Sequence, residues 1–280
     1  MTRALLGVLV LVAASGCVRA APVDSDVEPV STEVLRAAVV AADDADSTAP
    51  FAALLEVHPE SFALRRAIQD HERARLEPAE LIARYRAAAE ASPDSGLAHY
   101  LLGRTLVAEP AAAEASFARA AELDPTNPWP VVGQAYLRAS RGDLLGTIEV
   151  YEAGLERAPR SAMLRLFLGN QYLEWKLFIK AERELRYAHR LDPDDPEVWA
   201  ALGKCLAMLS HEEQAMDLLL RAREARPEIA HIYPTLASLY LTRREVLAAE
   251  EAYRAGLSYG MPRDEGLSSQ IRAAKLVQEL

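Results

Sequence analysis

Cysteine is nearly absent from this 280-residue chain: Cys17 and Cys205 are the only two. Two thiols so far apart offer no disulfide framework. Aromatic residues make up only 6% of the chain, and runs of β-branched residues are few. The hydrophobic half is mostly Ala and Leu, a composition that suits helices and argues against a sheet. Positive charge is scarce as well, with 31 Lys and Arg against 41 Asp and Glu and a net charge of −10. Without a basic stripe or interleaved basic and aromatic residues, nucleic acid is not an expected partner. The N-terminal apolar run, Ala4 to Ala14, has eleven residues, too few to cross a bilayer.

Catalytic constellations are missing too. No glycine loop that could cradle phosphate occurs. His211-Glu212-Glu213-Gln214 begins like a zinc-protease helix, but Ala215 stands where the second His is needed; His71-Glu72 fails in the same way at Arg75. The six histidines, His58, His71, His99, His189, His211 and His231, form no i, i+4 pair. The acids of Leu191-Asp192-Pro193-Asp194-Asp195-Pro196 alternate as in a calcium loop but lack its Gly and distal Glu, and they read as turn residues. No G-x-S-x-G frames a serine. Cys205 reads as a small buried hydrophobe. Glu182-Arg183-Glu184 and Glu212-Glu213 read as solvated helix faces. The expectation is a protein that is not an enzyme, with no catalytic residue, no metal ligand, no cofactor and no evident small-molecule substrate.

What the chain does have is a period. Leu168-Gly169-x-x-Tyr172, Ala181, Leu185, Ala188 and Pro193 return thirty-four residues later as Leu202-Gly203-x-x-Leu206, Ala215, Leu219, Ala222 and Pro227. Trp199 stands three residues before Leu202. From Pro59 the prolines at 93, 125, 159, 193, 227 and 262 follow at steps of 34, 32, 34, 34, 34 and 35. Further copies carry Leu102-Gly103-x-x-Leu106 with Phe117 and Ala120, Trp129-x-x-Val132-Gly133-x-x-Tyr136 with Tyr151, and Tyr233, Leu236, Ala237, Tyr240, Ala249 and Tyr253. The copy before Pro93 is weak in its first half, where Gln69 and Glu72 replace the Gly and Tyr. Gly in mid-helix costs about 1 kcal/mol relative to Ala, so Gly169 and Gly203 predict the close approach of another backbone. Small residues such as Ala181 and Ala188 let helices approach, and the prolines stop each second helix.

These residues carry the W-x2-L-G-x2-Y…A-x3-F…P pattern, and the chain resembles the tetratricopeptide-repeat family through them. The resemblance implies an all-α fold, a right-handed α-solenoid of helix-turn-helix repeats with N- and C-terminal capping helices. Residues 62–263 read as about six tandem repeats. Residues 31–61 read as a capping helix pair or decayed repeat, with Ser31 as helix cap, a helix to about Ala42, a loop over 43–50 and a short helix from Phe51 to Val57. Residues 264–280 read as the C-terminal cap, with Leu267, Ile271, Ala274 and Val277 as its apolar stripe.

Ahead of these, residues 1–16 resemble a bacterial lipoprotein signal peptide, with Ala14-Ser15-Gly16-Cys17 as its cleavage and lipidation site; Ala14 stands where that family prefers Leu. The resemblance implies lipid (palmitate) on Cys17, a membrane held through that anchor, and a place in the bacterial cell envelope facing the periplasm. Val18 after the Cys, in place of Asp, implies the outer rather than the inner membrane. An ordinary secretory signal cut after Ala20 or Ala21, giving a secreted protein, and a retained helix are the alternatives. Residues 17–30 read as a flexible tether. From Val18 to Glu60 there are nine acids and two bases, read as a solvated stretch.

In the family a protein or peptide partner lies along a groove lined by the first helix of each pair. Here that register places Arg104, Gln134, Asn170, Lys204 and Ser238 as a polar ladder. Val107, Leu137, Leu173, Ala207 and Leu241 lie beside it as an apolar strip. The subgroup that clamps a C-terminal carboxylate wants Lys at Leu166 and Asn at Ala201; Asn170 alone matches. The implied function is a protein-protein interaction scaffold, similar in layout to repeat lipoproteins that assist assembly of envelope machines. An accessory subunit of an envelope enzyme and a self-assembling structural protein are the alternatives.

Overall fold

Each turn between repeats is built on the same short pattern. Two residues after the turn proline stands a side chain that caps the next helix. Ser61 Oγ accepts from the Leu64 amide at 3.3 Å, Ser95 Oγ from Ala98 at 3.2 Å and Asn127 Oδ1 from Trp129 at 3.0 Å. Ser161 Oγ accepts from Leu164 at 3.2 Å and Asp195 Oδ1 from Glu197 at 2.9 Å. Such a cap satisfies one of the orphan amides of the first turn and is worth about 1 kcal/mol. After Pro227 the position holds Ile229, which cannot cap, and the chain enters its next helix through a 3-10 turn over Ala230–Ile232.

The computed structural model describes Val30 and residues 32–279, all α-helix, 3-10 turn and connecting loop. The chain divides into two compact units, Met1–Leu164 and Arg165–Leu280. The first holds α1 (Thr32–Ala45), a 3-10 turn (Ala49–Phe51), α2 (Ala52–Val57), α3 (Phe62–Arg73), α4 (Pro78–Ala91), α5 (Gly96–Thr105), α6 (Pro110–Leu123), α7 (Pro128–Ser140) and α8 (Leu144–Arg157). The division falls within α9 (Ala162–Glu174). The second continues through α10 (Phe178–Leu191), α11 (Pro196–Met208), α12 (Glu212–Ala225), α13 (Tyr233–Thr242), α14 (Val246–Ser258) and α15 (Glu265–Glu279). Among the described residues no helix is long and apolar enough to cross a membrane. Cys17, the lipid-anchor candidate, and Ser31, the expected cap of α1, lie outside the described residues.

In four of the helix pairs the first helix ends in a left-handed residue, whereas α3, in a repeat of full length, ends at Ala74 in a right-handed conformation. The four are Gly142 in the first unit and Lys176, Ser210 and Arg244 in the second, with φ of 74°, 59°, 61° and 62°. In each case the amide of the next residue reaches back five positions: Asp143 to the Arg138 carbonyl, Leu177 to Tyr172, His211 to Leu206 and Glu245 to Tyr240. This is the hydrogen-bond signature of a Schellman turn, usually closed by Gly. Only one of the four positions is Gly, so the other three carry a conformational cost of about 1 kcal/mol each. The repeat that is two residues short lacks this turn. Its first helix, α5, stops at Thr105, and the Glu109 amide bonds the Leu106 carbonyl at 2.7 Å just before Pro110 opens α6.

The glycines of the first helices sit under a large side chain of a second helix. In the first unit, a Cβ on Gly103 or Gly133 would lie 2.8 or 2.6 Å from the Phe117 ring. In the second, a Cβ on Gly169 would lie 2.6 Å from Leu185 Cγ, and one on Gly203 2.8 Å from Leu219 Cγ. The close neighbour is therefore mainly a side chain where a backbone was expected; the Ala215 carbonyl, 3.2 Å from the Gly203 position, is the one backbone atom that comes near these four. Around these notches Ala120 in the first unit, and Ala181, Ala188, Ala215 and Ala222 in the second, are fully buried. Thr147, in the small-residue position, is buried too, its hydroxyl donating to the Asp143 carbonyl at 2.7 Å.

The N-terminal helix runs to Ala45, three residues beyond the expected end at Ala42. Ala42 is buried against Phe51, Leu64 and Ile68. Asp43 meets His71 Nδ1 at 3.0 Å, and Arg75 bridges Asp43 and Asp46, which hold the last turn in place. At the other end Asp264 caps α15 by accepting from the Leu267 amide. Leu267 and Ile271 are buried and Ala274 is half-buried, but Val277 is exposed. The last turns are held by polar contacts instead, from Lys275 to Glu250 and from Gln278 to the Arg244 carbonyl. Glu184, expected on a solvated face, is buried, and it accepts from Arg165 at 2.7 Å and Arg183 at 2.9 Å.

Two outcomes follow from the second unit. Trp199 is buried, donates its indole N–H to the Pro193 carbonyl at 2.7 Å and lies under Arg221, 4.3 Å from the ring centroid. Trp199→Ala is expected to cost about 3–5 kcal/mol in a urea titration. Close by, burial raises Glu197 to about 7 in spite of Arg226 Nη2 at 3.4 Å, and raises Asp195 to about 6. Glu228 adds a further negative charge beside Glu197. These two groups hold protons in the folded protein that the unfolded chain has released, so their contribution to stability is expected to fall as pH rises from about 4 to about 7. Melting curves of the parent and of Glu197→Gln across that range should show it, the variant gaining on the parent as pH rises.

Candidate functional site

In the first unit the first helices of three successive pairs, α3, α5 and α7, lie side by side. Their shared face is polar where a simple core would be apolar. Gln69 is fully buried and donates to the Leu101 carbonyl at 2.8 Å, tying α3 to α5. Arg104, also buried, donates to Gln69 Oε1 at 2.8 Å and to Asp70 Oδ1 at 2.7 Å. Arg73 reaches the same Asp70 oxygen at 3.3 Å and the Arg104 carbonyl at 3.2 Å. Arg66 stretches from α3 to α7, where its guanidinium lies 3.6 Å from the centroid of the Trp129 ring. Trp129 and Tyr136 are half-buried against the core cluster around Tyr100 and Phe117. Burial holds both Arg66 and Arg73 below the usual arginine value, and the like charge of Arg104 adds to it.

Gln69 and Glu72 read in sequence as defects of a weak repeat. In the structure they replace packing by hydrogen bonds. Glu72 accepts from the Tyr85 hydroxyl at 2.8 Å and from Arg84 at 2.6 Å, linking α3 to α4. Arg66, Asp70 and Arg73 were not singled out from the sequence. Their signal is present nonetheless: positions 66, 69, 70 and 73 have the i, i+3, i+4, i+7 spacing of one helix face, and all four are polar.

The proposed ladder residues take several positions. In the first unit Arg104 is enclosed in the Gln69–Asp70 network, Gln134 is half-buried, and Leu137 is 1% exposed within the core. Val107 lies in the turn after α5 and packs on the same core. In the second unit Asn170 and Lys204 are half-buried, with Lys204 Nζ 3.7 Å from Glu174. Leu173 is buried, Ala207 and Leu241 are half-buried, and Ser238 is exposed with its hydroxyl donating to the Pro234 carbonyl. Tyr172 is buried. The Cys205 thiol is buried, donates to the Phe178 carbonyl at 3.4 Å and is pushed by burial up to about 11, so it holds its proton at neutral pH.

No family model matches the sequence, and a comparison with curated proteins finds no match. Solved structures do resemble it. Yeast Tom70 aligns at a TM-score of 0.64 and 15% identity, over 89% of this chain and 59% of that one. Pseudomonas aeruginosa pilF aligns at 0.56 and 20% identity, over 65% of this chain and 84% of that one. TTC0263 of Thermus thermophilus, described as a thermophilic TPR protein, aligns at 0.50 and 22% identity, over 65% of this chain and all of that one. The fold is the tetratricopeptide-repeat α-solenoid, an all-helical array of repeated pairs.

Arg104→Met would leave Asp70 and Gln69 short of a buried partner and is expected to cost about 3 kcal/mol. Asn170→Ala, half-buried on the second unit, should stay within about 0.5 kcal/mol of the parent. Chemical denaturation of both variants checks the contrast.

Proposed function

We propose that this protein is a non-enzymatic interaction scaffold that holds a protein or peptide partner on the faces of its first helices, and that lipid on Cys17 anchors it to a membrane of the bacterial envelope. The observation that carries the binding role is the face of α3, α5 and α7. Trp129 and Tyr136 remain half-buried there beside guanidiniums, in a chain with only 6% aromatic residues. An extended peptide finds on such a surface both hydrogen-bond donors and flat apolar contact. The anchor rests on the apolar run, the Ala14-Ser15-Gly16-Cys17 site and the acidic stretch that follows. More than one acyl chain on that Cys would give stable attachment without a spanning helix. In this reading the protein assists the assembly of an envelope complex, at the periplasmic side of the outer membrane.

Crosslinking and pull-down from native membranes tests it, with the parent chain against a Trp129→Ala/Tyr136→Ala variant and an Asn170→Ala/Lys204→Ala variant. A partner captured by the parent and lost from either variant assigns the first-helix face of that unit. Equal capture by all three would move the binding surface elsewhere on the fold and defeat the reading.

A further inference from the structure

Residues 175–190 hold five Lys and Arg against two Glu, in a chain whose net charge is −10. The balance of the whole chain hides this stretch, and the folded structure sorts its charges by depth. Glu184 is buried and accepts from Arg165 at 2.7 Å and from Arg183 at 2.9 Å. Glu182 is half-buried and accepts from Arg186 at 2.8 Å. Glu174, just ahead of the stretch, lies 3.7 Å from Lys204. The cations Lys176, Lys180, Arg183 and Arg190 are exposed, and among the described residues Lys176, Lys180 and Arg190 make no ion pair. Leu177 and Ile179 stand between the two lysines, 41% and 71% exposed. Trp175 is half-buried beside them, its ring 6.5 Å from that of Tyr172. Further along α10, Arg165 and Arg190 lie 3.8 and 4.8 Å from the centroid of the Tyr187 ring. Burial, and then the charges of Arg221 and Arg186, hold His189 below its usual value, a mark of the positive field here. One period later α12 carries Glu213, Asp217 and Glu224 in place of Ile179, Arg183 and Arg190, so the repeat does not impose this face. Exposed apolar side chains bounded by long flexible cations, with Trp close by, match the boundary between headgroups and acyl chains. The apolar groups enter its edge while the cations extend to the phosphates. An acidic protein segment would satisfy the cations and leave Leu177 and Ile179 in water.

We propose that the turn between α9 and α10 and the exposed face of α10 lie on an anionic lipid bilayer. Leu177 and Ile179 enter the boundary of headgroups and acyl chains, and Lys176, Lys180, Arg183 and Arg190 meet the phosphates. This goes beyond the interaction role above and does not depend on lipid at Cys17. On a chain anchored there, the contact fixes which side of the second unit meets the membrane, and so which faces stay open to a partner.

The test uses the full chain with vesicles whose acyl chains are brominated and so quench tryptophan at the boundary. One set is phosphatidylcholine alone, and the other is an equimolar mixture with phosphatidylglycerol. The mixed vesicles should quench the parent, less as salt is added, and phosphatidylcholine alone should quench it weakly. Trp175→Phe keeps Trp129 and Trp199 and should lose the quenching. That difference reports contact at this turn whatever the apolar N-terminal run does, since both chains carry it. Lys176→Gln/Ile179→Ser/Lys180→Gln, altered only at exposed positions, should melt like the parent and need about tenfold more mixed lipid for half-maximal quenching. Equal quenching of the parent and Trp175→Phe, or unchanged lipid dependence in the triple variant, would overturn the proposal. Capture of polyglutamate by the parent without quenching by either vesicle would assign the face to an acidic protein segment and overturn it too. Each of these outcomes leaves the interaction role standing, since that is read from the capture of a partner by the first-helix faces.

Discussion

A large side chain of a second helix seated over a glycine of a first helix, at four of the repeats, is the contact on which the rest of this architecture depends. Phe117 in the first unit fills the notch at Gly103 and the one at Gly133, so a single ring sets the spacing of α5 and α7. Leu185 and Leu219 do the same over Gly169 and Gly203 in the second unit. Filling any of these notches would force the ring or branch aside in an interior packed as densely as a crystal. Because the notch fixes how closely the first helices approach, it also fixes how far apart their remaining faces lie. The arrangement that seats Phe117 is therefore also what brings the α3, α5 and α7 faces within reach of one arginine side chain.

Two polar devices complete the repeat. One is the capping side chain two residues after each turn proline, which starts the next first helix at a defined residue. The other is the left-handed turn between paired helices, which reverses the chain in a fixed number of residues. Where either device is missing the geometry changes locally. Ile229 cannot cap, and a 3-10 turn appears. The short repeat has no room for the left-handed turn, and α5 ends early. Backbone hydrogen bonding thus accounts for the departures from period as well as for the period itself.

The polar face of the first unit reflects a different balance. Gln69 and Glu72 stand where Gly and an aromatic would otherwise pack, and they join the helices with bonds of known direction, Gln69 to the Leu101 carbonyl and Glu72 from the Tyr85 hydroxyl. Such a network holds the helices in register, and its charges can do so only when each has an acceptor. Arg104 has two. Arg66 has none among the described residues and rests on an aromatic ring instead. Its Nε alone is buried without a partner, so the side chain gives up one hydrogen bond where Arg104 gains two.

Helix content, the repeat length, the prolines between repeats and the small and large positions were all legible in the sequence, because each is set by contacts between neighbours at a constant spacing. Ala181, Leu185 and Ala188 identify their own roles through the copies that follow them. Other features depend on residues far apart in the chain. Lys176, Ser210 and Arg244 share a backbone conformation but no side-chain chemistry, so no sequence pattern marks them. Arg66 and Trp129 are separated by almost two repeats, and their contact exists only once α3, α5 and α7 are stacked. Arg104 and Leu137, read as groove residues by register, are buried, because the register specifies which helix carries a residue and leaves open how deep its side chain lies. The sequence alone determined the fold and its period, since local spacing suffices for both. The tertiary structure decided which polar residues satisfy one another and which is left without an acceptor, because that depends on distances across the stack.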